Sequence, residues 1–240
     1  VLFLFFCGWC KRKERKKDTK RKKKRWEDEE KEGIDDWDCD WQKKYAKEPD
    51  DEKESISFML TWIPRIRNDK EILKVGDIVN IDITVIVDGW HGDTSKMFLI
   101  GKSQPHVKRL VDITRECMFK GIEVCKPGAF TGDIGYAIQT HAEKNHYSVV
   151  KNYCGHGIGK IYHEDPQITH FGNKGEGIKL EEGMVFTIEP MINLGSHKTK
   201  LVKDGWTVVT EDGKLSAKWE HTIAITEQGY EILTLREEEK

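Results

Sequence analysis

The chain has 240 residues, enough for one large domain or two small ones, and its six scattered cysteines fit a reducing compartment better than a disulfide-stapled fold. Its formal net charge of −2 excludes a global bias toward nucleic acid. Residues 11–25 nevertheless contain twelve basic and two acidic residues, whereas residues 26–54 contain fourteen acidic and five basic ones. Because neither block shows apolar periodicity, we predict that residues 1–54 form a charged, low-complexity, disordered segment.

The apolar stretch at residues 1–6 is far shorter than the roughly 20 residues that span a bilayer, and its basic residues follow it rather than precede it. We therefore expect no targeting segment, no membrane association and a cytoplasmic protein. Solvated sequence is the preferred interpretation of the basic block over a surface for RNA, ribosomes or acidic lipid, so no specific nucleic acid is expected. The single Cys7-x-x-Cys10 pair does not predict a zinc module.

A folded domain is predicted over residues 55–240, and its clearest element is a hairpin at residues 78–100. The Asp88-Gly89 pair between β-branched runs is typical of a two-residue turn that needs positive φ at both positions. This register places Asp82 and Asp93 on one face, as diagonal neighbours roughly 7 Å apart. Two such carboxylates repel each other unless a cation lies between them, and the spacing suits two metal ions about 3.5–4 Å apart.

Helices and further strands follow the hairpin. Helical periodicity predicts a helix over 105–124, which Pro127-Gly128 ends, and a second helix over 131–145 with Thr131 as its N-cap. Strands are predicted at 149–150, 184–192, 206–209 and 220–225. Strands joined by hairpins, with helices grouped beside them, indicate an α+β domain with a mostly antiparallel sheet and helices on one face.

The C-terminal half contains further candidate metal ligands. His156 lies in a glycine-rich stretch, and Glu189 and Glu220 lie in apolar strand sequence. Ionised Glu is almost never fully buried unless it is paired or bound to a metal. An imidazole with several carboxylates suits Mn, Fe, Co or Zn as a divalent ion.

Several motifs together resemble type I (bacterial-type) methionine aminopeptidases over about residues 68–235. The motifs are Asp82, Asp93, Gly155-His156-Gly157, Thr187-Ile188-Glu189-Pro190, Glu220-His221-Thr222 and Asp204-Gly205-Trp206. The resemblance implies the pita-bread fold, with an incomplete N-terminal half. It also implies two divalent ions (Co, Mn, Fe or Zn) bound by five side chains: Asp82, Asp93, His156, Glu189 and Glu220.

The same resemblance implies removal of the initiator methionine from nascent proteins and peptides by a hydroxide that the two metal ions activate. Glu189 would also transfer the proton, His163 would contact the substrate carbonyl, and Tyr162 and Trp206 would contact the methionine side chain. Expected partners are N-terminal methionyl peptides and nascent proteins, with ribosome association left open. A monomer is expected.

One departure from the family lowers the expected activity. Counted back from Asp82, the family's His-Gly-Ile-Pro loop would fall at residues 64–67, where this chain reads Pro64-Arg65-Ile66-Arg67. The abrupt change near Asn68 is typical of a frameshift, a mis-joined gene model or a degraded copy. Two alternatives to the enzyme are a non-catalytic pita-bread protein that binds nascent chains, ribosomes or nucleic acid, and a relative of proline-specific aminopeptidases and dipeptidases. The five candidate ligands favour the enzyme.

Overall fold

The computed structural model describes residues 55–59 by their backbone, and residues 73–203, 205 and 207–240 in full. The predictions for residues 1–54, for the loop at 64–67 and for Trp206 lie outside the described residues. The division of the chain at residue 55 therefore stays a prediction.

The described part of the chain contains both helices and strands, in agreement with the predicted α+β class. Its helices are α1 (Pro105–Ile122) and α2 (Thr131–Lys144), with a short 3₁₀ turn at Glu237–Glu239. Its strands, numbered in chain order, are β1 (Ser55–Met59), β2 (Ile78–Val87), β3 (Trp90–Leu99), β4 (Ser148–Val149), β5 (Gly155–Gly157), β6 (Glu164–Ile168), β7 (Val185–Ile188), β8 (Met191–Asn193), β9 (Thr199–Leu201), β10 (Val208–Thr210), β11 (Ser216–Lys218), β12 (His221–Thr226) and β13 (Gly229–Ile232).

The described strands pair antiparallel throughout. They form sheets in the orders β1-β2-β3, β13-β12-β7-β5-β6, β11-β8-β4 and β10-β9. Helix α1 contacts α2 and β11, and α2 also contacts β4. One main apolar core joins the buried faces of both helices to β7, β8 and β12, and Leu110, Ile138 and Phe186 are fully buried in it. None of the described helices is long and apolar enough to cross a membrane.

The predicted hairpin is confirmed in both turn and register. Asp88 and Gly89 have φ values of 50° and 75°, as the predicted turn requires. Thr84 lies opposite Asp93, and Asp82 lies opposite Ser95. The two aspartates are therefore diagonal neighbours on one buried face of β2 and β3.

The predicted N-cap of α2 is wrong by one residue. Thr131 is the first helical residue, and Phe130 is the N-cap. The Asp133 carboxylate accepts the Phe130 N–H at 2.8 Å, while the Thr131 hydroxyl accepts the N–H of Ile178 at 3.1 Å. Asp133 thus binds the N–H of the N-cap residue from the first turn of the helix, while the Thr131 hydroxyl binds a residue outside the helix.

The single strand predicted over 184–192 is wrong, because the chain divides there into β7 and β8 on either side of Glu189-Pro190. The two strands belong to different sheets. Proline has no N–H for a sheet ladder, so the chain changes sheets at Pro190. This change leaves Glu189 between the two sheets, with its side chain buried.

Candidate metal centre

A junction between β3 and β12 brings Glu220 to the hairpin that carries Asp93. The Glu220 N–H donates to the Ser95 carbonyl at 3.2 Å. The Thr222 hydroxyl donates to the Asp93 carbonyl at 2.7 Å and accepts the Asp93 N–H at 3.1 Å. Arg236 donates to the Ser95 carbonyl at 2.6 Å from outside the junction. These contacts join residues more than a hundred positions apart.

Thr187 on β7 positions the two candidate ligands of the other sheet. Its hydroxyl donates to Glu189 Oε1 at 3.0 Å and accepts the backbone N–H of His156 at 3.0 Å. His156 Nδ1 is 2.9 Å from the Gly157 carbonyl, which can only accept, so Nδ1 carries the proton. The lone pair of Nε2 is then available, and this atom lies 3.7 Å from Glu189 Oε1 and 3.9 Å from Asp93 Oδ2.

The arrangement fits a divalent ion. One potential ligand atom from each of Asp93, His156 and Glu220 lies within 4.8 Å of the other two, and all three residues are buried. Among the described residues, neither Glu220 Oε1 nor Asp82 Oδ1 accepts a hydrogen bond. A buried acceptor without a donor is costly, and a cation offers such oxygens a partner. Carboxylate oxygens with one imidazole are the donor set of first-row divalent ions.

Lys218 is a part of the site that the sequence analysis missed. Its Nζ is 2.6 Å from Asp82 Oδ2, 3.1 Å from Glu189 Oε2 and 3.0 Å from Glu220 Oε2, and its side chain is only 6% exposed. Lys218 and Glu220 are two residues apart in extended chain, so their side chains lie on the same face. The intervening Trp219 faces away and donates its indole N–H to the carbonyl of Val111 at 3.1 Å. The alternation of side chains along Lys218, Trp219 and Glu220 is the sequence signal that could have placed Lys218 in the site.

Burial and crowding make the carboxylates hard to ionise together. Burial first, and the neighbouring Asp82 second, raise the pKa of Asp93 to about 7. Burial likewise raises the pKa of Asp82 against the opposing effect of Lys218. The pKa of Glu220 is well above its ordinary value, because of burial and then of Asp93. The described side chains thus supply too little positive charge for four carboxylates, which is the electrostatic condition for binding a cation.

Glu189 is the exception among the four carboxyl groups. Burial alone would raise the pKa of Glu189, but Lys218 and the nearby His156 outweigh burial and lower it. Conversely, burial alone would lower the pKa of Lys218, whereas Asp82, Glu189 and Glu220 hold it well above its ordinary value. Lys218 is therefore an ammonium and Glu189 a carboxylate at neutral pH.

Tyr162 and His163 lie beside Asp93 and His156 of the cluster. The Tyr162 hydroxyl donates to Asp93 Oδ2 at 3.0 Å. The Thr84 hydroxyl is 2.9 Å from the Tyr162 oxygen and 3.1 Å from Asp93 Oδ1, and it can donate its one proton to either. The His163 ring packs edge-on against His156, with centroids 4.2 Å apart. Burial, and then His156, lower the pKa of His163 to about 2, so it is neutral.

Three further histidines, His91, His170 and His221, have no role predicted from the sequence and make different contacts. His170 Nε2 accepts the backbone N–H of Glu189 at 3.1 Å, and burial lowers the pKa of His170 to about 4. His91 stacks on Tyr162, with ring centroids 5.7 Å apart. His221 faces the C-terminal residues, with Nε2 3.0 Å from a carboxylate oxygen of Glu239. His170 therefore contacts the cluster and His91 contacts Tyr162, whereas His221 contacts the C-terminal segment.

The structure thus places five predicted ligands, and two of the three predicted substrate residues, in one region of the described chain. Trp206 is outside the described residues. The residues placed together are Asp82, Asp93, His156, Glu189, Glu220, Tyr162 and His163.

A buried carboxylate and histidine cluster between antiparallel sheets is typical of a metal-binding protein, here of α+β architecture. The chain belongs to metallopeptidase family M24, whose sequence model matches residues 57–227. The match begins before the predicted start of the resemblance, near Asn68. Use of a divalent metal follows from this family.

Two relatives in sequence are bacterial enzymes. The chain is 58% identical to a methionine aminopeptidase of Rickettsia prowazekii over 171 residues, which cover 71% of this chain and 66% of the relative. It is 57% identical to methionine aminopeptidase A of Synechocystis, with 70% and 66% covered. The match therefore spans just under two thirds, 66%, of the length of these relatives.

Solved structures agree with this assignment. The Rickettsia prowazekii methionine aminopeptidase has a TM-score of 0.69 at 56% identity, covering 76% of this chain and 73% of that one. The Thermotoga maritima methionine aminopeptidase has a TM-score of 0.68 at 41% identity, covering 70% and 68%. The prolidase of Pyrococcus furiosus, at 24% identity and a TM-score of 0.55 with 69% and 43% covered, shows the fold alone. The predicted pita-bread fold class is confirmed.

Proposed function

We propose that this chain is a metal-dependent aminopeptidase that removes methionine from the N-terminus of peptides and nascent proteins. The observation that carries the proposal is the buried cluster of four carboxylates and one imidazole in a chain 58% identical to a methionine aminopeptidase. The donor set suits Mn, Fe, Co or Zn. The substrate class comes from the relatives, and the cytoplasm stays the predicted compartment.

Each residue of the cluster has a chemical task in this reaction. A divalent ion bound by Asp93, His156 and Glu220 would act as a Lewis acid and lower the pKa of water. Glu189 is a carboxylate at neutral pH, so it can accept a proton from the attacking water and return it to the leaving amine. The Thr187 hydroxyl fixes Glu189 Oε1 by a hydrogen bond of 3.0 Å. This bond also fixes the orientation of the carboxylate, and so the position of Oε2.

His163 would stabilise charge on the substrate. Because its pKa is lowered to about 2, the ring is neutral and can donate one N–H to the carbonyl oxygen of the scissile bond. Tyr162 fixes Asp93 through its hydroxyl, and its ring lies beside His163, with centroids 3.9 Å apart. We propose that the methionine side chain packs near this ring and near Trp206.

The test is hydrolysis of a Met-Ala-Ser peptide by chelator-treated protein, before and after Mn²⁺ is restored. We expect the unchanged chain to be active only with the metal. With the metal restored, Glu189→Gln should have a kcat about 100-fold or more below that of the unchanged chain, because the amide cannot accept the proton. The matched control is Glu182→Gln, which changes an exposed Glu outside the cluster. Metal-independent cleavage, or full activity in Glu189→Gln, would refute the proposal.

A further inference from the structure

The Lys218 ammonium lies among the buried carboxylates of the cluster, whose negative charges repel one another. Its Nζ contacts carboxylate oxygens from three separate parts of the fold: Asp82 on β2, Glu189 after β7, and Glu220 before β12. We propose that Lys218 takes the place of a second divalent cation, so that this site binds one ion through Asp93, His156 and Glu220. The inference rests on the proposed function only in taking the cluster to bind a divalent metal.

The fold fixes the ammonium in this position. Lys218 ends β11, where its backbone pairs with Met191 of β8, and its carbonyl accepts the side-chain N–H of Asn80 at 2.7 Å. Its side chain is buried to the ammonium, with 6% exposed. A surface lysine can turn its charge into water, whereas this one would have to break three ion pairs inside the protein.

A second ion would compete for the same oxygens. Metal–oxygen bonds to carboxylates are about 2.0–2.2 Å long, so an ion bound by Asp82 Oδ2 and Glu189 Oε2 would lie close to the Lys218 Nζ. Both are cations, and burial strengthens their repulsion. The ammonium also donates a hydrogen bond to Asp82 Oδ2 at 2.6 Å and forms ion pairs with Glu189 Oε2 and Glu220 Oε2.

The other side of the cluster remains suited to an ion. His156 Nδ1 donates its proton to the Gly157 carbonyl, so the lone pair of Nε2 is available to bind an ion. Glu220 Oε1 accepts no hydrogen bond from any described residue. Four carboxylates, one ammonium and one divalent ion sum to a single negative charge, so one ion neutralises most of the excess charge of the cluster.

The test is metal stoichiometry, measured on the full chain with Mn²⁺ as the probe. Chelator-treated protein is titrated with Mn²⁺ in a calorimeter, and bound metal is counted by elemental analysis and by electron paramagnetic resonance. We expect about one Mn²⁺ per chain with the six-line spectrum of an isolated ion, and about two coupled ions in Lys218→Met, in which three oxygens are released. The matched control, Lys214→Met, removes an exposed lysine near β11 and should keep one ion.

The outcomes separate this inference from the proposed function. Two ions in the unchanged chain would overturn the Lys218 inference and leave the metallopeptidase proposal standing, whereas no bound Mn²⁺ in any variant would overturn both. If Lys218→Met does not fold, as circular dichroism would show, Lys218→Gln provides an uncharged polar replacement. The count in the unchanged chain decides the inference in either case.

Discussion

Four carboxyl groups of the site share one small buried volume, and each has a different set of partners. Asp93 has both oxygens near hydroxyl groups, those of Thr84 and Tyr162. Asp82 has one oxygen on Lys218 and one without a hydrogen bond from the described residues. These differences separate the roles: the carboxyl groups with raised pKa values need a cation, whereas Glu189 is already ionised and can act as a base.

Asp93→Asn should lose the metal while keeping the local shape. The amide keeps an acceptor for Thr84, but it removes the negative charge that attracts the ion. Since outer partners of metal ligands alone typically account for 10–100-fold in affinity, we expect Mn²⁺ binding to weaken by about 100-fold or more. Calorimetric titration measures this, with Asp112→Asn on the exposed side of α1 as the control. Unchanged Mn²⁺ affinity in Asp93→Asn would contradict the assignment of Asp93 as a ligand.

At the scale of elements, the site depends on the junction between β3 and β12. Arg236 holds that junction from the C-terminal segment, donating to the carbonyls of Ser95 at 2.6 Å and Glu220 at 3.3 Å. The guanidinium is itself held by Glu239 at 2.9 Å. Arg236 therefore acts as a positioning residue for Glu220, through the backbone rather than through the carboxylate.

Arg236→Met should weaken metal binding without removing a ligand. The two carbonyls lose a charged donor, and Glu220 becomes less firmly placed, so we expect a 10–100-fold loss in Mn²⁺ affinity with the number of bound ions unchanged. Titration calorimetry gives both quantities. Arg109→Met is the control, because Arg109 contacts Asn145 and Tyr147 on the helical side. A change in ion count, or equal affinity in both variants, would argue against the positioning role.

The elements that sequence could predict are those with a local signal. The hairpin has its own turn residues in Asp88-Gly89, and α1 has eighteen residues of helical periodicity. Strands such as β5, β9 and β11 have only three residues each, too short for a pattern, and β5 is mostly glycine. Their pairing depends on contacts between distant segments, which no local pattern contains.

The residues of the site also divide into those with a local sequence signal and those without one. The five candidate ligands were predictable because acidic residues and a histidine stood out in apolar or glycine-rich sequence. Lys218 was not predicted, since a lysine is ordinarily a surface residue, and only its alternation with Glu220 placed it on the same face. The role of Arg236 could not be predicted, because Ser95 and Arg236 are far apart in sequence and meet only in the folded structure.

For the whole molecule, the candidate metal ligands all follow the departure from the family pattern at residues 64–67. All five candidate ligands lie between Asp82 and Glu220, inside the range matched by family M24. The relatives extend beyond the match, which covers 66% of their length. Metal binding and catalytic rate should therefore respond separately to changes at the N-terminal side.

Replacing residues 1–67 with the corresponding segment of the Rickettsia prowazekii relative should raise the rate without changing the metal count. Pro64 has neither an imidazole nor a backbone N–H to contact the scissile amide, and one such lost contact typically costs about 100-fold or more. We expect kcat/KM for Met-Ala-Ser to rise by about that factor in the chimera, and by less in Pro64→His, which restores the imidazole alone. Bound Mn²⁺ per chain, measured on the same samples, is the control and should be equal in all three proteins. Equal kcat/KM in the chimera and the unchanged chain would show that another residue already supplies the missing contact.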